Sequence, residues 1–170
     1  MIYKETEAKG SKNLSYIRFN EWKDDVILFF HGFTGSKAYF PDITNDELCV
    51  ISFDRPGVGE SSVEAYYSME NFLQDVCDVL KKHGVTSVKL IGHSAGCYDA
   101  YALCQKREKI TISPDIPVYV WYGTEDTTVP ITFIEYFKTA YPIKQTHLID
   151  KVGHMLYLTN WEEIIKEIYM

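Results

Sequence analysis

Val88-Lys89-Leu90-Ile91-Gly92-His93-Ser94-Ala95-Gly96-Cys97-Tyr98 changes character at its centre. The first part is a short apolar run of strand type. The residues after Ser94 read as a helix over 95–106. Between them lies Gly-x-Ser-x-Gly, flanked by strand and helix. That setting predicts a sharp turn. The serine backbone is strained, its hydroxyl stands above a sheet, and the two glycines let strand and helix approach closely. The Ala95 N–H, at the helix start, can face a developing oxyanion. The bland readings are a glycine-rich phosphate loop or an ordinary tight turn.

The pattern continues outward from this point. Residues 2–6 and 14–19 flank the turn-rich Lys9-Gly10-Ser11-Lys12-Asn13 and predict a hairpin. Residues 26–30 and 48–53 are unbroken apolar runs, as strands covered on both faces require. Over 68–82, Met69, Phe72, Leu73, Val76, Val79 and Leu80 recur at helical spacing, and His83-Gly84 closes the helix. Further strands are expected at 88–91, 118–122 and 145–149. Helices are expected at 131–140 and 161–169, with Asn160 as the last N-cap. Strands alternating with helices imply an α/β domain over 1–170, a mostly parallel sheet with helices on both faces. Function on such sheets sits at the C-terminal strand ends.

Composition narrows the partners. The chain has 170 residues and a net charge of −7, so nucleic acid is not an expected partner. The apolar run 26–30 is far too short to span a bilayer, and the polar first ten residues lack a signal-peptide core. A cytoplasmic location without membrane contact is the expectation. The 13 tyrosines read first as core residues and second as pocket lining. Cys49, Cys77, Cys97 and Cys104 form no CxxC pair and no metal spacing, so reduced core thiols are expected, with no metal and no cofactor. Cys97, three residues after Ser94, has a position near a pocket as its alternative.

A serine hydroxyl needs a base, and the base needs a carboxylate to orient it. There are five histidines. His93 is inside the turn, His83 ends a helix, His147 is mid-strand, and His31 precedes Gly32 in a loop. His154 comes after the last strand, where the base is required; an idle loop histidine is the bland reading. Asp126 comes after the strand 118–122 and is preferred as the acid. Glu125 beside it and Asp150 after the last strand are the alternatives. His31-Gly32-Phe33-Thr34-Gly35-Ser36 succeeds the first buried strand and offers the Phe33 N–H as a second oxyanion donor, or is a plain turn.

Taken together, His31-Gly32-Phe33, Asp54-Arg55-Pro56-Gly57-Val58-Gly59-Glu60-Ser61, Gly92-His93-Ser94-Ala95-Gly96, Gly123-Thr124-Glu125-Asp126 and Gly153-His154 resemble the α/β-hydrolase family, in order and across most of the chain. The resemblance implies Ser94 as nucleophile, His154 as base, Asp126 as acid, and the Phe33 and Ala95 amides as oxyanion donors. The 54–61 segment reads as a scaffold signature without a chemical role. The chain departs from the family in one place. Only 32 positions separate Ser94 from Asp126, too few for the usual extra strand, lid (cap) and helix. Residues 110–113 cannot form a parallel neighbour of 118–122, because the four-residue link is shorter than a crossover. A lidless form with a sheet one strand short is expected, with the acid strand beside the nucleophile strand.

The first functional expectation is a serine hydrolase of small carboxylic esters, working weakly through an acyl-enzyme. The second is a binding or scaffold protein of the same fold. Apolar surface left by the missing lid predicts a homodimer, or exchange of elements between two chains.

Overall fold

The computed structural model describes residues 1–9, 12–39, 41, 43, 45, 47–63, 65, 68–105 and 117–169. Their contacts group into two compact units, Met1–Ile112 and Ser113–Met170.

The first unit is organised by β3 (Asp25–Phe30), which pairs in parallel with β4 (Val50–Phe53) and β5 (Ser87–Gly92). β4 then pairs antiparallel with β2 (Lys12–Phe19), and β2 antiparallel with β1 (Ile2–Lys9). The ladder runs β1-β2-β4-β3-β5, a mixed sheet with the expected hairpin on one side. Successive side chains on a strand point to opposite faces. Val26, Leu28 and Phe30 enter one core with Leu14, Tyr16, Ile51 and Phe53. Ile27 and Phe29 face the other way and are equally buried, so both faces of β3 are covered, as its unbroken apolar run predicts.

Helix α1 (Met69–Lys82) closes that core with Phe72, Leu73, Val76, Val79 and Leu80. Met69, counted in the apolar stripe, is instead exposed. The helix ends at Gly84, whose φ of +70° is the left-handed conformation that suits glycine. Helix α2 (Gly96–Gln105) adds Ala100 and Leu103 to the same core.

The turn after β4 is held by a buried charge network. Asp54, with its side chain 1% exposed, accepts from the Lys37 N–H at 2.7 Å and from Lys37 Nζ at 2.6 Å. Lys37 Nζ also donates to Ser15 Oγ and Glu60 Oε2, both at 2.8 Å, which satisfies all three of its protons. Burial pushes the Lys37 amine down, but its bonds to Asp54 and Glu60 outweigh this and raise it. Gly59 lies over Asp54 at φ +55°, where a Cβ would come within 2.2 Å of Asp54 Oδ2. The 54–61 signature is thus a cradle for one buried carboxylate.

The second unit contains β6 (Val118–Gly123) and β7 (Ile143–Ile149), parallel and joined through α3 (Phe133–Ala140). A 3₁₀ turn, Leu156–Leu158, precedes α4 (Trp161–Ile168). Within this unit the acid strand β6 pairs in parallel with β7, with Tyr119 opposite Gln145 and Gly123 opposite Ile149. The segment 110–113, excluded as a parallel neighbour of this strand, and its link 114–117 lie outside the described residues except Pro117. Asn160 stands at the N-cap position of α4, as expected; its Oδ1 accepts from Thr159 Oγ1 at 2.9 Å and makes no cap bond to the helix N–H groups.

Replacing Lys37 with Met removes the countercharge and leaves the Asp54 carboxylate buried. Urea unfolding is expected to show a loss of about 3–5 kcal/mol, the cost of an uncompensated buried charge.

Candidate active site

Ser94 lies between β5 and α2 at φ +53°, a left-handed conformation that is rare outside glycine. The strain is imposed from both sides. A Cβ on Gly92 would come within 2.6 Å of Cys97 Cα, and one on Gly96 within 2.1 Å of the Phe30 carbonyl oxygen. Only hydrogen fits at either place, so β5, α2 and the end of β3 meet through bare backbone. The His93 N–H donates to Phe30 O at 2.9 Å and fixes the turn from below. Non-glycine residues held in this conformation cluster at functional sites.

The loop after β3 abuts the same turn. A Cβ on Gly32 would sit 3.0 Å from His93 Nδ1 and 3.4 Å from Ser94 Cβ. Among the described residues, neither the Phe33 N–H nor the Ala95 N–H has a hydrogen-bond acceptor. Both amides flank the half-buried Ser94 turn with their donors unspent. The Phe33 side chain is 86% exposed, so it is the backbone of this residue that belongs to the turn.

In the second unit, Gly123 lets the ends of β6 and β7 converge. A Cβ there would come within 2.2 Å of Val152 O, and Glu125 N–H donates to that same carbonyl at 2.9 Å. The two loops so joined carry Asp126 and His154, whose Oδ2 and Nδ1 lie 2.7 Å apart. Asp126 Oδ1 accepts from the N–H groups of Thr128 at 2.8 Å and Val129 at 3.0 Å. Its side chain is only 6% exposed. Burial raises the Asp126 pKa, but the hydrogen bonds from His154, Val129 and Thr128 outweigh it and hold the carboxyl below its usual value. The carboxylate thus faces the Nδ1 edge of the His154 ring.

Hydrogen bonding and burial separate the alternatives. Asp150 Oδ1 is engaged by Thr124 Oγ1 at 3.2 Å, and Glu125 is exposed. His83 stacks on Trp22 at 3.8 Å, and His147 stacks on Trp121 at 4.2 Å. His31 is buried; burial, aided by Arg55, lowers its pKa. The cysteines depart from expectation in part: Cys49 and Cys77 are buried, but Cys97 is exposed and Cys104 half-buried. Among the described residues there is no cluster of three or more His, Cys, Asp or Glu suited to a metal, and no helix is long and apolar enough to cross a membrane.

Sequence reasoning missed Arg55 and Asp99. Arg55 Nε donates to Asp99 Oδ2 at 2.7 Å, and its Nη atoms reach the loop after β3. A signal for Asp99 was present. It falls on the stripe Gly96, Asp99, Ala100, Leu103 that α2 buries, where an acid needs a buried partner.

A sequence model of the family described as alpha/beta hydrolase fold matches residues 25–111, more than half of the chain, and the chain belongs to that family. It is similar to protein phosphatase methylesterase 1 of Candida albicans, 30% identical over 95 residues that cover 51% of this chain and 26% of the relative. Probable lysophospholipase BODYGUARD 4 of Arabidopsis thaliana is 30% identical over 95 residues, covering 51% of this chain and 23% of the relative. The match spans about a quarter of the length of these relatives. A predicted CIB-like hydrolase from Thermoplasma acidophilum shares the fold with a TM-score of 0.78 at 17% identity, over 98% of this chain and 95% of that one.

Two measurements check this geometry. Gly96→Ala has no room against the Phe30 carbonyl, so its unfolding free energy should fall by more than about 3 kcal/mol in urea. The Asp126 carboxyl has a lower pKa folded than unfolded, where it is near 3.9. Its stabilising contribution is therefore present above the unfolded value and is lost as pH falls through the folded one. Asp126→Asn should flatten the acid limb of a plot of urea midpoint against pH.

Proposed function

We propose that the chain is a serine hydrolase that cleaves small carboxylic esters through an acyl-enzyme. The Asp126–His154 hydrogen bond carries this reading, because it gives His154 the tautomer a general base needs. Ser94 Oγ attacks the ester carbonyl as His154 Nε2 takes its proton. The oxyanion that forms is met by the Phe33 and Ala95 N–H groups. His154 then returns the proton to the leaving alcohol, and the C–O bond breaks. Water repeats the sequence: His154 removes its proton, hydroxide adds to the acyl group, and the acid departs as Ser94 is restored. No cofactor or metal enters these steps. The methylesterase and lysophospholipase relatives support ester chemistry. The short interval from Ser94 to Asp126 leaves no room for a lid, so the site is open and small activated esters bind weakly.

The test is a fluorophosphonate probe followed by intact-mass measurement. One adduct per chain is expected on Ser94, absent in Ser94→Ala. Hydrolysis of p-nitrophenyl acetate should fall by at least about 10³-fold in Ser94→Ala and about 10²–10⁴-fold in Asp126→Asn. Folded protein that takes no label would overturn the enzyme reading and leave the scaffold alternative.

A further inference from the structure

We propose that Arg55 is the positioning residue of the oxyanion donors, with Asp99 as its anchor on the helix after Ser94; this rests on the serine-hydrolase reading. The Arg55 side chain is 15% exposed and that of Asp99 4%, so the pair is largely out of water. Arg55 Nε and Nη2 both reach Asp99 Oδ2, at 2.7 and 2.5 Å. Nη2 also donates to the His31 carbonyl at 2.6 Å, and Nη1 to the Gly32 carbonyl at 3.2 Å. Nη1 lies 3.0 Å from His31 Nδ1. One planar guanidinium, whose donors have a fixed geometry, thus holds an acid on α2 and two consecutive carbonyls of the loop after β3.

Peptide geometry links this grip to the donors. In a trans peptide the C=O and the next N–H point in opposite directions, and the described chain has no cis peptide. Holding the Gly32 carbonyl toward Arg55 turns the Phe33 N–H away from it. That carbonyl also accepts from the Gly35 N–H at 3.1 Å and lies 2.8 Å from His31 Nδ1, itself in contact with Arg55, so the peptide plane is fixed at three points. The loop also meets the Ser94 turn through Gly32, where a Cβ would stand 3.4 Å from Ser94 Cβ. Asp99, meanwhile, is fixed to α2, and Ala95 immediately precedes that helix. Arg55 therefore sets the spacing between the two donors, one on each of the segments it joins.

Donors act on an oxyanion only within about 2.7–3.1 Å. A displacement of about 1 Å costs roughly 100-fold in rate. Lysine at position 55 keeps the charge facing Asp99 but loses the fork that holds both carbonyls.

The test compares Arg55→Lys, Arg55→Met, Asp99→Asn and Arg55→Lys/Asp99→Asn with the parent chain and a control, Lys82→Ala, which removes only an exposed ion pair with Glu7. Turnover of p-nitrophenyl acetate is normalised to sites titrated by fluorophosphonate. The inhibition constant of a trifluoromethyl ketone, whose adduct with Ser94 bears an oxyanion, is measured alongside. Arg55→Lys should lower kcat about 10–100-fold with KM changed less than about threefold. Ketone affinity should fall by the same factor as kcat/KM. The double variant should be no worse than the poorer single one, because the two residues act as a unit. Asp99→Asn keeps the carboxylate's shape and supplies a folded test if the Arg55 variants unfold. A labelled parent whose folded variants keep its kcat and ketone affinity would overturn the positioning role alone. A folded parent that takes no label would overturn the hydrolase reading and this inference with it.

Discussion

The backbone of Gly96 and the carbonyl of Phe30 lie so close that a single methyl group would stand 2.1 Å from the oxygen. This contact joins the first turn of α2 to the last residue of β3. Gly92 makes the matching approach on the other arm of the turn, against Cys97 and Gly96. With both arms drawn in, Ser94 has no relaxed conformation left and takes φ +53°. The strain is sustained because β3 is buried on both faces and paired on both edges, so its end cannot retreat. The loop carrying Phe33 starts one residue beyond this contact. The positions of the nucleophile candidate and of both amide donors therefore descend from one backbone approach.

Much of this was legible in the sequence because it depends on absent side chains and on burial. Gly92 and Gly96 announce the turn, and unbroken apolar runs announce β3 and β4. The apolar spacing of α1 identified its buried face apart from Met69, at the helix start, where the side chain reaches solvent. What the sequence leaves open is pairing, which local pattern does not encode. Nothing in Val118-Tyr119-Val120-Trp121-Tyr122 says which strand lies beside it, and β7 as a parallel partner had to come from the structure. Asn160 takes the N-cap position its sequence context suggests, but its oxygen accepts from the neighbouring Thr159 hydroxyl instead of a helix N–H, a competition local pattern does not encode.

The candidate acid and base, Asp126 and His154, were legible through position, as residues just after strands, and the alternatives could be ranked but not resolved. The structure separates them by hydrogen bonding. Asp126 is surrounded by three donors, from Thr128, Val129 and His154. Asp150 is engaged by the Thr124 hydroxyl. A sequence shows which carboxylates come after strands. It does not show which of them the backbone amides surround, and that surrounding is what keeps a half-hidden carboxylate ionised.

The buried charges of the first unit are harder to explain as stabilising devices. Lys37 with Asp54, and Arg55 with Asp99, each place two ions largely out of water. The desolvation of such pairs commonly equals or exceeds their attraction, and apolar replacements of similar volume are often as stable. What an apolar side chain cannot do is grip carbonyls at fixed angles. Lys37 and Asp54 fix the turn after β4, which carries Arg55. Arg55 in turn holds the two carbonyls of the loop after β3. The costly interactions thus form a chain that ends at the peptide whose N–H is unspent. Geometry at that peptide, rather than net stability, is the property these charges maintain.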